Sequence, residues 1–169
     1  MAVWRLEDDC LAPSGKIVIE FKGKNPFAVY KALKDLLKKV FGVGSSAIWE
    51  RDFRWDITSD PRSFFVRYFV KKGIDMRSSV LSEIILEGEQ PSAPEKDGKI
   101  RITIKGKLVT EYERKTTFQN LPIYKGLLLL YNLIFYNRVR RNYLALCIDW
   151  LTKLEEEFRS ILSMPKIKS

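Results

Sequence analysis

The 169-residue chain contains no histidine. That excludes a Ser-His-Asp or Cys-His nucleophilic arrangement and any His-ligated metal site. There are only two cysteines, Cys10 and Cys147, and neither sits in a CxxC pair. A Cys-based zinc site and a disulfide framework are therefore not expected, and a reducing, cytoplasmic setting is the simpler reading. A glycine-rich phosphate loop is missing as well: GVGSS at Gly42–Ser46 follows a helical pattern, whereas a P-loop follows a strand and opens a helix. The longest apolar run, Leu121 to Tyr136, has 16 residues and is interrupted by Lys125 and Asn132. As helix it reaches about 24 Å against roughly 30 Å of hydrocarbon, so no membrane span is expected. The start, MAVWRLEDDCLAPSGK, has acids where a signal peptide needs an apolar run, so no export is expected. Spacing picks out no carboxylate pair for acid/base work. The acids of LEDDC (Leu6–Cys10) and Asp52, Asp56 and Asp60 read as solvated, so no catalytic residue, metal or cofactor is predicted.

What the chain does hold is enough to build a core. Hydrophobic residues make up 46% and aromatics 12%, which argues against disorder. The net charge of +9 suits polyanions or an anionic membrane surface, or simply keeps copies apart. Charged residues reach 30% while glutamine appears only at Gln90 and Gln119, a thermophile-like balance.

Periodicity assigns the elements within a single domain, 1–169. KIVIEFK alternates Ile17, Ile19 and Phe21 on one face, predicting a strand at about 16–22. KNPFAVYKALKDLLKKVFGVG then predicts a helix at about 26–41, capped by Asn25, entered by Pro26 and stopped by Gly42. Four strand-like runs within about 47–113 follow without an intervening helix, which predicts an antiparallel sheet. Gly106 in the last of them permits a bulge or bend. The tail at about 122–162 is helical, with a clean stripe of Leu144, Cys147, Ile148, Leu151, Leu154, Phe158 and Ile161. Its first half is apolar nearly all round, and the polar sides of the two halves differ by roughly a quarter turn, which predicts either one helix covering two different surfaces or, the favoured reading, a bend or break near Asn137–Asn142.

Strand, helix, antiparallel strands and a long C-terminal helix, as carried by KIVIEFKGKNPFAVYKALKDLL, the series from Trp49 to Tyr112 and LALCIDWLTKLEEEFRSIL, resemble in order the helix-grip superfamily of START-related lipid-transfer and birch-pollen-allergen-like proteins. The resemblance implies an α+β fold: a curved antiparallel sheet of five to seven strands wraps the terminal helix around an apolar cavity for hydrophobic ligands. On that footing the chain is a non-enzymatic intracellular module for a hydrophobic or amphipathic, lipid-like molecule. Alternation places Trp49, Arg51, Phe53 and Trp55 on one inward face, joined by Phe64, Tyr68, Ile84 and Tyr112 as the ligand wall. Arg51 among aromatic rings needs an anionic partner, and a ligand carboxylate would serve; the alternative is an edge arginine that snorkels out to water or pairs with Glu111 or an aspartate.

Two surfaces point elsewhere. Phe65, Phe69, Leu81 and Ile85 fall on the outward face, too many for a solvated one, so a cover is expected. The Leu127–Tyr136 stretch is the natural cover, or a homodimer or protein contact, or, with Arg138, Arg140 and Arg141, a peripheral membrane contact. A rival function is nucleic-acid binding through Arg67, Arg101, Lys105 and Lys107 with Phe65 and Phe69, although Glu50, Glu83, Glu87 and Glu111 oppose a phosphate backbone. A third is a structural dimer or assembly subunit with no small ligand.

Overall fold

The structure, a computed structural model, describes residues 2–114 and 121–165. Its elements run β1 (Ala2–Asp9), β2 (Ile17–Gly23), α1 (Ala28–Phe41), β3 (Ile48–Trp55), β4 (Arg62–Gly73), β5 (Ser78–Gln90), β6 (Gly98–Arg114), α2 (Pro122–Tyr131), a π-helical turn (Asn132–Tyr136) and α3 (Asn137–Ile161). The fold is α+β, with a curved, open antiparallel sheet of six strands, one early helix and a C-terminal helix. Strand order is β1-β6-β5-β4-β3, with β2 also on β6. The 17 residues of β6 carry both partners end to end: β1 lies along Lys107–Arg114 and β2 along Gly98–Ile104. Residues 10–16 loop out between them, and the Cys10 N–H returns to the Gly106 carbonyl at 3.0 Å.

Strand β1 has no counterpart in the sequence reading, so the early helix follows the second strand rather than the first. Glu7, Asp8 and Asp9 hide its alternation, because the strand sits at an edge where charged side chains meet water. Asn25 is likewise not the helix cap. It adopts a φ of 51° ahead of the helix, and the Phe27 N–H is satisfied instead by Gln90 Oε1 at 3.2 Å. At the other end Gly42 does close α1 in the left-handed region, φ 58°.

The core lies between the inner sheet face and the two helices. Val66 and Val70, Ile84 and Leu86, and Ile102, Ile104 and Leu108 meet Val29, Leu33, Leu37 and Phe41 of α1 and Leu151, Leu154 and Phe158 of α3, all buried. Each such side chain contributes about 1.5–3 kcal/mol by leaving water. At Gly106 the ladder keeps its register opposite Ser82, so no bulge forms there. Its missing side chain has another use: a Cβ at this point would stand 2.5 Å from Leu151 Cδ1, so the glycine is what lets α3 press this close to the sheet.

Two further expectations are corrected. Cys10 and Cys147 form a disulfide, with Cα atoms 6.0 Å apart, tying the loop after β1 to the middle of α3. A sequence separation of 137 residues concealed the pairing, which only the sheet edge and the returning helix bring together. No break occurs at Asn137–Asn142 either. The helix runs on, and the phase difference between its halves is absorbed by the π-helical turn at Asn132–Tyr136, whose wider winding rotates the apolar face.

Candidate functional site

Strand β3 decides where the predicted wall residues go. Its register against β4 shifts between Glu50 and Asp52, a bulge that leaves Arg51 as the extra residue. Glu50 before the bulge and Phe53 and Trp55 after it stand opposite Tyr68, Val66 and Phe64 of the inner face. Trp49 and Arg51 do not. Trp49 pairs with Phe69 on the outer face and is 44% exposed, and the Arg51 guanidinium lies over the Phe69 ring, 5.9 Å from its centroid. One inserted residue thus reverses the facing that strict alternation assigns, and the enclosed Arg51 anchor is overturned.

The remaining inner aromatics are gathered, but around α1 rather than around a space. Phe27, immediately before α1, touches Trp55 at 4.3 Å and Phe64 at 5.3 Å between centroids, and Tyr30 meets Phe53 at 5.2 Å. Glu50 accepts hydrogen bonds from the hydroxyls of Tyr68 at 2.5 Å and Tyr30 at 3.1 Å. Burial, together with the Glu50 carboxylate, pushes the Tyr68 hydroxyl well above its usual range. Ile84 lies deep in the core, and Tyr112 stands at the far end of β6, beneath the Arg77 guanidinium. Roughly 40 Å of strand, at about 3.3 Å per residue, separates Tyr112 from the register position of Phe64. The eight predicted residues therefore do not line one wall.

On the outer face, Phe65, Phe69, Leu81 and Ile85 are half-buried without α2 above them. Arginines do the sheltering: Arg54 and Arg67 each lie 5.6 Å from the Phe65 centroid, and Arg51 covers Phe69. The basic residues proposed for nucleic acid are engaged by carboxylates. Arg67 faces Glu83 at 3.5 Å, Lys105 faces Glu83 at 3.4 Å, Lys107 meets Glu7 at 3.0 Å and Arg101 meets Glu20 at 2.7 Å. At the Phe64 end an open groove of about 910 Å³ is lined by apolar Phe21, Phe64, Phe65 and Ile100 together with charged residues that include Arg54 and Lys99.

Among the described residues, exposed large apolar side chains cluster on the helical arm. No residue of α2 is buried, and Ile123 (74% exposed), Leu127, Leu129 and Leu130 stand open to solvent, as do Leu133 and Ile134 of the π-helical turn. The side chains of Asn132 and Phe135, which enter the sequence reading of this stretch, lie outside the described residues. The base of the arm is clamped. Tyr136 and Tyr143 donate hydroxyl hydrogen bonds to Asp75 Oδ2 at 3.1 and 3.0 Å, Tyr136 also meets the Ser78 hydroxyl at 2.7 Å, and Arg140 pairs with Asp8 at 2.7 Å. Arg138 and Arg141 remain exposed. Sequence reasoning missed Asp75 and Asp8, because a turn aspartate and an edge aspartate acquire partners only when a helix from the far end of the chain arrives.

Burial pushes the Asp75 carboxyl up, but the N–H groups of Arg77 and Ser78 and the hydroxyls of Tyr143 and Tyr136 outweigh it and hold the group below the usual carboxylate range. Burial, with that carboxylate alongside, pushes the Tyr136 hydroxyl up to about 12. A carboxyl held low in the folded state stabilises above its unfolded value, about 4, and that contribution is lost as the pH falls through the lower folded value. Asp75→Asn is therefore expected to lower the melting temperature at neutral pH and to flatten its decline below about pH 4. Parallel acid limbs for the two proteins would show that the clamp carries no linked stability.

No known protein family matches the chain, and no curated protein does. Among solved structures it is similar to a protein of unknown function, SA2116, from Staphylococcus aureus, at 11% identity and a TM-score of 0.28, over 88% of this chain and 94% of that one. It is also similar to a putative uncharacterized protein from Rhizobium leguminosarum, at 11% identity and a TM-score of 0.21, over 92% and 99%. Among the described residues no helix is long and apolar enough to cross a membrane.

Proposed function

We propose that the protein is a non-enzymatic docking module: a rigid sheet platform holds out the Leu121–Tyr136 arm for insertion into an apolar environment supplied from outside. One observation carries this reading, namely that a helix this apolar has no buried residue of its own. Leaving six large aliphatic side chains in water forgoes on the order of 10 kcal/mol of burial, a cost that a docked state recovers. The clamp at Asp75 and Asp8 fixes the base of the arm, so docking would not first have to order it. A cytoplasmic location belongs to the same proposal. Intracellular disulfides are a feature of hyperthermophile proteins, and the composition is of that kind.

The test is a triple variant, Leu127→Gln, Leu130→Gln and Ile134→Gln. The wild type is expected to bind mild-detergent micelles or to associate as its concentration rises. The variant should stay a single chain under both conditions with an unchanged melting temperature. A wild type indifferent to both detergent and concentration would remove the docking reading.

A second reading, binding of an amphipathic small molecule, is favoured by the groove of about 910 Å³, whose mixed aromatic and charged lining suits a ligand with an apolar body and a charged head. Native mass spectrometry of the purified protein, searching for a lipid-sized adduct, distinguishes it.

A further inference from the structure

The docking reading leaves its occupant unnamed, and charge decides it. Between Glu113 and Asp149 the chain contains no acidic residue, while Arg114, Lys115, Lys125, Arg138, Arg140 and Arg141 are all cationic. Arg140 is spent on Asp8, but Arg138 and Arg141 are exposed immediately beyond the apolar arm. A second copy of the chain would bring the same cations to the contact with no carboxylate in this segment to meet them, on top of a net charge of +9 on each partner. An anionic lipid surface meets both features at once. The arm, about 24 Å long, is too short to span a bilayer but suited to lie in its interface, where an apolar face sinks about 5–10 Å into the headgroup boundary and basic residues stay among the headgroups.

Geometry favours the same orientation. On a helical wheel Ile123, Leu127 and Leu130 fall within about 60° of one another, with Leu129 roughly 100° further round, while Lys125 lies well away from the first three. The exposed apolar arc thus covers about half of the circumference, with Lys125 at its edge beside Leu129, and Arg138 and Arg141 follow it along the axis. We infer that α2 and the π-helical turn form an interfacial anchor for anionic membranes, with Arg138 and Arg141 as the headgroup contacts. This inference rests on the docking reading above and narrows it to one occupant.

Vesicle sedimentation of the full chain tests it, using phosphatidylcholine alone and phosphatidylcholine with one quarter phosphatidylglycerol. Binding is expected to the anionic vesicles only, to weaken with added salt, and to vanish in the Leu127/Leu130/Ile134 glutamine variant. Each of Arg138→Gln and Arg141→Gln should weaken it about fivefold while leaving the melting temperature unchanged. Equal binding to both vesicle types, or arginine variants that bind as the wild type does, would overturn the headgroup assignment. Failure to bind either vesicle, in a protein that still associates with itself or with detergent, overturns the membrane and leaves the docking module standing with a second copy as occupant. Failure in all three assays removes both.

Discussion

Replacing Cys10 and Cys147 with alanine is expected to lower the unfolding free energy by about 5 kcal/mol. The disulfide closes a loop of 137 residues, most of the chain. In the chain-entropy account a closed loop of about 100 residues already withholds about 4.7 kcal/mol from the unfolded ensemble, and the dependence on length is logarithmic. For a domain of this size, 1 kcal/mol moves the melting temperature by roughly 2–4 °C, so a fall of about 10–20 °C is expected. Both cysteines are buried, at 4% and 0% exposure, so alanine replaces them without introducing an unpaired hydroxyl. Reductant added to the native wild type should act slowly, because the sulfurs become accessible only on opening. Two thiols titrating per chain in denaturant without reductant would show that the bridge is absent from the protein as made, and an alanine pair melting with the wild type would show that it carries no stability.

The same bridge shows what local reading of a sequence can reach. Strands β2, β4, β5 and β6 and helix α1 were legible because their apolar residues repeat at the period of the element, and burial follows the repeat: Phe64, Val66, Tyr68 and Val70 all face the core as alternation requires. Where a non-local event sets the outcome, the repeat misleads. The bulge at Arg51 depends on how β3 pairs with β4, and nothing in Trp-Glu-Arg-Asp-Phe signals it, since each of those residues is at home on either face of an edge strand. Alternation alone calls for a helix above the outer-face phenylalanines, yet arginine stems from β3 and β4 shelter them instead. The arm was visible from its composition alone. That it lies open rather than packed on the sheet was not, because an apolar stretch reads alike whether it is buried or held out for a partner.

Gly106 and Leu151 should be energetically coupled where α3 meets β6. Leu151→Ala alone is expected to cost about 2–5 kcal/mol, since a fully buried leucine is lost and a cavity is left between α3 and β6. Gly106→Ala alone sets a Cβ 2.5 Å from Leu151 Cδ1 and 3.4 Å from Cys147 Sγ, so α3 must move and the disulfide beside it must follow. Overpacking of that kind costs about 1–3 kcal/mol, and it outweighs the roughly 0.5–1 kcal/mol that alanine gains over glycine within a strand. In the double variant the clash is gone, because the atom that Cβ would strike has been removed, and the new methyl fills part of the cavity. Adding Gly106→Ala to Leu151→Ala is therefore expected to be neutral or stabilising, a coupling on the order of 1–3 kcal/mol in a double-mutant cycle read by chemical denaturation. Additive costs would mean that α3 does not rest on Gly106, and the close approach of helix to sheet would have to be held elsewhere. Restoration of stability in the pair would place that contact, next to the bridge at Cys147, as the point where the C-terminal helix is locked to the platform that carries the arm.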